Sequence, residues 1–302
     1  MKAIVFGGSG FLGSHVADAL TVHGYKVIVF DLKESPYLQK AQKMVIGNIL
    51  DREAVRKAVK GCDMVYNFAG VADLEKAKEE PVKTVEINIL GNAIILDACR
   101  ENSVKRFVFA SSLYVYSKTG SFYRSSKQAC ELVIENYHED YGLPYTILRY
   151  GSLYGPRADE NNWIYKILNQ AIIEGKITRY GDGEELREYI HVEDAARCSV
   201  DILSKEFENE YVIITGYQQM KIKNVMKMIN EMLDNKIELE FMPANSNLHY
   251  EITPYSFNPK IAKKYVSKYY LDIGQGLLQC LEEAYKKHHR YKEISGLLMQ
   301  DE

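Results

Sequence analysis

Tyr123 and Lys127 stand four residues apart in a stretch with helical spacing, so both side chains project from one helix face. A phenol ordinarily ionises near pH 10. Lowering that by about three units takes about 4 kcal/mol of preferential stabilisation of the anion. A neighbouring ammonium such as Lys127 supplies part of that field, and Tyr123 could then exchange a proton with a substrate hydroxyl near neutrality. Ser112, just beyond the strand RFVFAS, would hydrogen-bond the same oxygen. The spacing alone is weak, because the chain has 23 tyrosines, and Tyr114 with Lys118 and Tyr217 with Lys221 repeat it. Only Tyr123 and Lys127 open a long amphipathic helix directly after a serine-tipped strand, and catalytic groups gather at the strand ends of parallel sheets.

A second constellation lies at the N-terminus, where MKAIVFGGSGFLG is followed by HVADALTVHGYKVIVFD: strand, glycine loop, helix, strand, acid. Gly8, Gly10 and Gly13 fit G-x-G-x-x-G, and Gly7, Gly10 and Gly13 fit G-x-x-G-x-x-G. Such glycines allow a tight turn, close approach of backbone amides to a pyrophosphate, and tight packing of helix on strand. The helix N-terminus adds partial positive charge. Asp31 lies about 20 residues beyond the loop, where a carboxylate reaches ribose hydroxyls. A carboxylate there disfavours a 2′-phosphate, so NAD is expected over NADP, with Lys33 the one nearby residue that pulls the other way. The two constellations together describe hydride exchange at a carbinol carbon, with Tyr123 handling the hydroxyl proton and the positive nicotinamide adding to the field of Lys127.

These residues need a parallel sheet to carry them, and the first half of the chain has the texture of one. Strands and helices alternate to about residue 150: VIVFD, the helix DREAVRKAVKG, the strand DMVYNFAG, the helix INILGNAIILDACREN, the strand RFVFASS, a helix from about Ser125 to Tyr141, and the strand YTILRYG. The expected fold is α/β: a doubly wound parallel-sheet Rossmann domain over 1–153, with a smaller C-terminal α/β substrate domain over 154–302. Some segments, about 185–216, return to the first domain. In the second domain turns (GPR, GDGEE) separate short helices, with one more strand at YVIITG. A net charge of −3 with interleaved signs gives no general attraction to nucleic acid or anionic membrane, so neither is an expected partner. No apolar run approaches a membrane span or a signal h-region, and the expected location is cytoplasmic. The five cysteines, widely spaced and in no CxxC pair, read as small core residues, and no metal is expected. His191 reads as structural, because no nearby His, Cys or carboxylate set has ligand spacing.

GGSGFLG, Asp31, NFAG, VKRFVFASS, Tyr123-x-x-x-Lys127, ILRYGSLYGPR and REYIHVEDAA, in this order over about residues 1–200, resemble the extended short-chain dehydrogenase/reductase family, in its NAD-dependent nucleotide-sugar epimerase/dehydratase branch. The resemblance implies that Phe11 and Leu12 line the pyrophosphate turn with Gly7, Gly10 and Gly13, and that Leu32 joins Asp31 beside the adenosine. Asn48 and Ile49 would flank the adenine, although the family more often has Asp at the first of these positions. Phe68, Ala69 and Gly70 would pass beneath the cofactor, with Asn88 near the nicotinamide ribose and Tyr123, Lys127 and Tyr150 completing the cofactor set. It implies further that Ser112, Tyr114, Ser152 and Arg187 face a nucleotide-sugar substrate, Arg187 as the guanidinium that grips the diphosphate. The helices containing Asn88 and Tyr123 resemble those of a four-helix-bundle homodimer interface.

Sugar 4,6-dehydratases and decarboxylating relatives need an additional acid after the active-site Ser or Thr, where this chain has Leu113 and Tyr114. Hydride transfer without elimination remains: a 4-epimerase slightly ahead of a 4-dehydrogenase or ketoreductase, possible substrates including a heptose. Gly151 and Ser152 stand where Phe-Asn is common in the family, and smaller side chains there are expected to enlarge the cleft. A non-catalytic dinucleotide sensor is the remote alternative, disfavoured because Ser112, Tyr123 and Lys127 are all present.

Overall fold

The computed structural model describes residues 1–217, 219–243, 251–252, 254, 262–267 and 269–298. The first half of the chain runs β1 (Lys2–Phe6), α1 (Phe11–Val22), β2 (Lys26–Asp31), β3 (Lys43–Ile46), α2 (Arg52–Val59), β4 (Met64–Asn67), α3 (Leu74–Glu79) and α4 (Pro81–Val85). A π-helical turn, Glu86–Leu90, then leads to α5 (Gly91–Glu101), β5 (Arg106–Ser112), a 3₁₀ turn (Leu113–Tyr116), α6 (Ser121–Tyr141) and β6 (Tyr145–Tyr150). The second half runs β7 (Ser152–Tyr154), α7 (Trp163–Glu174), β8 (Lys176–Tyr180), β9 (Leu186–His191), α8 (Val192–Asp201), β10 (Glu210–Ile214), β11 (Gln219–Lys221), α9 (Ile222–Met232), β12 (Glu238–Met242), β13 (Lys263–Tyr265) and α10 (Ile273–Leu298).

Eight strands form one all-parallel sheet in the order β13-β10-β6-β5-β4-β1-β2-β3. The chain winds outward from β1 to β3, then restarts on the other side at β4. That reversal opens a crevice at the carboxyl ends of β1 and β4, where ligands bind in such sheets. Successive residues of a strand face opposite sides, and both sides are covered. Ile4 and Phe6 pack with Phe30, Val55, Ile95, Phe107 and Ile134 beneath α2, α5 and α6. Ala3 and Val5 pack with Val16, Leu20, Ala195 and Ala196 beneath α1 and α8. This two-sided burial is why the strands read as nearly unbroken apolar runs. Tyr66 donates to Ser199 O at 2.9 Å, tying the sheet centre to α8.

The remaining elements build a smaller layer. β9 pairs in parallel with β7 and antiparallel with β11, and β12 pairs with β8. Helices α7, α9 and α10 close over Tyr154, Ile167, Leu168, Val225, Met226 and Leu277. The expected strand YVIITG is β10, and it lies in the large sheet beside β6. Within 185–216, α8 and β10 pack on the large sheet, whereas β9 stays with the smaller one. The helix expected from Ser125 starts at Ser121, after Gly120 at φ +102°. All five cysteines are buried and free. No described helix is long and apolar enough to cross a membrane. The tail after Leu298 lies outside the described residues.

Candidate active site

The glycine loop is shaped by its own backbone. Gly7 sits at φ +75°, and a Cβ on it would lie 2.6 Å from Ala69 N. A Cβ on Gly13 would lie 2.2 Å from Gly7 O, so only glycine lets α1 start this close to the loop. Gly10 caps α1 in an extended conformation with no side chain on the helix N-terminus, and a Cβ there would meet only Gly7 O, at 3.2 Å. The first amides of α1 are thus left for a ligand, beside a partly positive helix end. Phe11 and Leu12 are half-buried at the head of α1. Asp31 ends β2 with Oδ2 accepting from Ser9 N at 3.0 Å and Oδ1 from Leu32 N at 2.7 Å. Its carboxylate both ties the glycine loop to the second strand and keeps lone pairs for further donors. Leu32 itself is exposed. These features, a pyrophosphate-sized cradle with an acid at its far end, fit a dinucleotide.

The other expected cofactor residues divide. Phe68, Ala69 and Gly70 follow β4, the first two abutting the glycine loop and Gly70 facing Asn88. The Phe68 ring is stacked with Tyr66 at 6.0 Å. Asn48 is exposed and accepts from Leu50 N, whereas the Ile49 side chain is buried against Gly91 of α5. Asn88 has its side-chain amide engaged within the protein. Its Oδ1 accepts from Val71 N (2.7 Å) and its Nδ2 donates to Val71 O (3.0 Å) and Ser126 Oγ (2.9 Å), so its amide fastens the loop after Gly70 to α6. It sits in the π-helical turn, which rotates the helix enough to aim that side chain inward. The Tyr150 hydroxyl is bonded to Ser199 Oγ at 2.6 Å in the core beneath α8, and burial pushes that phenol well up. What it keeps near the crevice is its backbone, at the carboxyl end of β6 beside Ser112.

Tyr123 and Lys127 come together as the spacing implied. The ammonium of Lys127 is buried, donates to Ala110 O at 2.7 Å, and lies 5.7 Å from the centre of the Tyr123 ring and 4.7 Å from that of Phe109. Burial lowers its pKa, with the Cys130 and Glu131 side chains pulling the other way. The Tyr123 ring is packed by Leu74, Ala77 and Val71 and meets Tyr114 edge-on at 6.1 Å. Ser112 ends β5, its Oγ accepting from Tyr114 N at 3.3 Å to cap the 3₁₀ turn. Of the competing pairs, Tyr217 is exposed and stacked on Tyr270, in the loop after β10.

Beside Tyr114, the ring that meets Tyr123, opens a cleft of about 550 Å³, its mouth included, whose lining also holds Ser152 and Arg187. Three of the four residues expected to meet substrate therefore share one wall, although they come from the 3₁₀ turn, β7 and β9. Arg187 is only 6% exposed and donates to Leu186 O at 2.9 Å. Gly151 does not enlarge this cleft: the space its side chain would fill is taken by Glu188 O and Thr215. Sequence reasoning missed Asn162, Trp163 and Arg179 on the same wall. Asn162 accepts from Tyr165 N, capping α7, and donates to Leu153 O. An Asn before a helical pattern is a cap signal that could have located it. Arg179 is paired with Glu185. His191 is 1% exposed, with no partner on either ring nitrogen among the described residues, and burial lowers its pKa to about 4.

Comparison with known proteins agrees with this geometry. The chain is 26% identical over 268 residues to the UDP-N-acetyl-alpha-D-glucosaminuronate decarboxylase of Bacillus cytotoxicus, covering 80% of this chain and 83% of that protein. It is 28% identical over 272 residues to the dTDP-D-glucose 4,6-dehydratase of Dictyostelium discoideum, covering 76% of this chain and 62% of that longer protein. In fold it is similar to the UDP-glucose 4-epimerase of Thermotoga maritima crystallised with UDP-glucose, with a TM-score of 0.83 at 24% identity over 95% of this chain and 99% of that one. It is similar also to the Thermus thermophilus UDP-glucose 4-epimerase with NAD, with a TM-score of 0.81 at 24% identity over 94% and 99%. Residues 3–214 match the model of the NAD dependent epimerase/dehydratase family, and with its glycine cradle and Asp31 the chain belongs to that NAD-dependent family.

Proposed function

We propose that the protein is a nucleotide-sugar 4-epimerase that uses Tyr123, Lys127 and Ser112 at the carbon whose configuration it inverts. The observation that carries this reading is the meeting of Lys127 and Tyr123 at the carboxyl edge of the sheet, beside a cleft lined by Arg187. Bound NAD supplies reversible hydride transfer. Tyr123 takes the proton of the sugar hydroxyl, and the ammonium of Lys127 stabilises the phenolate. Ser112 donates to the same oxygen. Arg187 grips the diphosphate, so the oxidised sugar can turn within the cleft without leaving.

The lining of the cleft favours simple hydride exchange over elimination or decarboxylation, since Leu113 and Tyr114 follow Ser112 and no described lining residue carries a carboxylate. Gly10 and Gly13, with Asp31, hold the cofactor in this reading. A homodimer forms through α4–α5 and α6, which lie side by side and leave Val82, Val85, Leu90, Phe122 and Leu132 exposed.

The test is turnover of a panel of UDP-, GDP-, CDP- and dTDP-hexoses and heptoses, followed by product stereochemistry and by absorbance of reduced cofactor. An epimerase inverts without net NADH. Accumulation of NADH, or dependence on an added acceptor, would make it a dehydrogenase. Tyr123→Phe should lower turnover by about two orders of magnitude or more while the protein keeps its NAD affinity. Unchanged turnover in that variant removes Tyr123 from the chemistry.

A further inference from the structure

One helical turn below Lys127 on the same face of α6 lies Glu131, a carboxylate only 6% exposed. A Lys followed four residues later by a Glu is within reach of pairing along a helix, yet Lys127 donates to Ala110 O, and Glu131 is held elsewhere. Arg149 of β6, equally buried, donates from Nε to Glu131 Oε1 at 3.0 Å and from Nη2 to Oε2 at 2.7 Å, a two-point grip. Ser111 of β5, the neighbour of Ser112, donates to the same Oε1 at 2.5 Å. The remaining Nη1 of Arg149 donates to the hydroxyl of Tyr116, whose 3₁₀ turn also carries Tyr114. The guanidinium is sandwiched against the rings of Tyr116 and Tyr211, 4.6 and 4.4 Å away.

We propose that Arg149 and Glu131 are positioning residues for the Tyr123–Lys127 pair. Arg149 engages the carboxylate that would otherwise capture the Lys127 ammonium, and through Ser111 and Tyr116 it fixes the strand end and turn that present Ser112 and Tyr114. The proposal rests on the reading of Tyr123 as the proton-exchanging group. A buried ion pair adds little net stability over apolar residues of the same shape, so its charges matter here for what they do to the neighbouring ammonium. The groups facing this pair are Ser111 from β5, Tyr116 from the 3₁₀ turn, Tyr145 from β6, Tyr211 from β10, which donates to Glu135, and Lys127, Cys130 and Glu135 on α6. Glu135 and Glu131 add negative charge on this side, and Arg149 is the cation paired with Glu131.

Eight residues at about 1.5 Å each set Glu131 about 12 Å from Tyr123 along the helix. One uncompensated charge at that range, in an effective dielectric near 20, moves a titration midpoint by about one pH unit. The experiment labels tyrosine with carbon-13 at Cζ and titrates Tyr123 by NMR in the NAD-loaded protein, its signal assigned by loss in Tyr123→Phe. Arg149→Met should raise the midpoint by about one pH unit, Arg149→Lys by less, and Glu131→Gln should lower it. The double variant Glu131→Gln/Arg149→Met should return it to within a few tenths of the parent. If Arg149→Met does not fold, Glu131→Gln alone decides by the sign of its shift. A purely structural role would change melting temperature and leave all these midpoints in place, and that result overturns the proposal. Because the readout needs no substrate, failure here is distinct from failure of the epimerase reading, which appears as full turnover in Tyr123→Phe.

Discussion

The glycine loop makes a prediction that separates two glycines of one motif. In Gly13→Ala the new methyl would sit 2.2 Å from Gly7 O, and relief to a tolerable 3.0 Å requires the loop or helix to shift by about 0.8 Å. Neither yields easily, because Gly7 N donates to Phe30 O at 2.9 Å, Gly7 O accepts from Gly10 N at 3.1 Å, and Gly7 lies against Ala69. Overpacking of this kind costs about 1–3 kcal/mol. At about 2–4 °C per kcal/mol for a chain of this size, the nucleotide-free protein should melt about 2–12 °C lower. The same shift misaims the first amides of α1. Losing one charge-assisted hydrogen bond, about 1.5–3 kcal/mol, weakens NAD binding roughly ten- to a hundred-fold. In Gly10→Ala the methyl meets only Gly7 O at 3.2 Å, so the nucleotide-free melting temperature should fall by no more than about 2 °C. NAD affinity should still drop, since the methyl occupies the approach to the pyrophosphate. Scanning fluorimetry of nucleotide-stripped protein and calorimetric titration with NAD measure both quantities. Equal loss of melting temperature in the two variants would refute the reasoning.

Removing the phenol of Tyr150 with Phe should cost about 1 kcal/mol from the lost bond to Ser199 and leave NAD affinity unchanged; a tenfold weakening would mean that the hydroxyl serves the cofactor after all. His191, held near pKa 4 by burial, is neutral when folded and takes up a proton more readily when unfolded, so its contribution to stability is full above about pH 6.5 and is lost as pH falls toward 4, by at most about 1.4 kcal/mol per pH unit. His15, lowered by the same cause, acts in the same direction, and His191→Asn should flatten the fall in melting temperature over that window, which an unchanged slope would contradict. Phe122→Asp with Leu132→Asp should halve the solution mass seen by light scattering if α6 forms the dimer face; an unaltered mass excludes it.

What could be read from the sequence was what local pattern and chemistry dictate. RFVFASS is β5 to the residue, and the glycine loop, Asp31 and the Tyr123–Lys127 stripe need only a strand, a turn or one helix to be recognised. The start of α6 lies four residues before the expected Ser125, because Gly120 and Ser121 both enter at positive φ and no side-chain cap marks the boundary. The inward turn of Asn88 depends on one π-helical turn, and the inward hydroxyl of Tyr150 on a serine 49 positions away. Strands such as β7, β11 and β13, three residues each, are defined by partners remote in sequence, and no periodicity of their own announces them. The wall shared by Tyr114, Ser152, Arg187 and Arg179 likewise exists only once those pairings are made.

The large sheet takes its last two strands, β10 and β13, from among the segments that build the smaller layer, so the chain passes between the two layers repeatedly. A gene fragment ending near residue 153 would therefore not yield a minimal nucleotide-binding module. It would expose the backbone groups of β6 as a raw, apolar ladder, a template for intermolecular strand addition. Grafting a new specificity region onto this scaffold would require several splices that preserve β10 and α8, which makes loop-by-loop exchange the practicable route to altered selectivity.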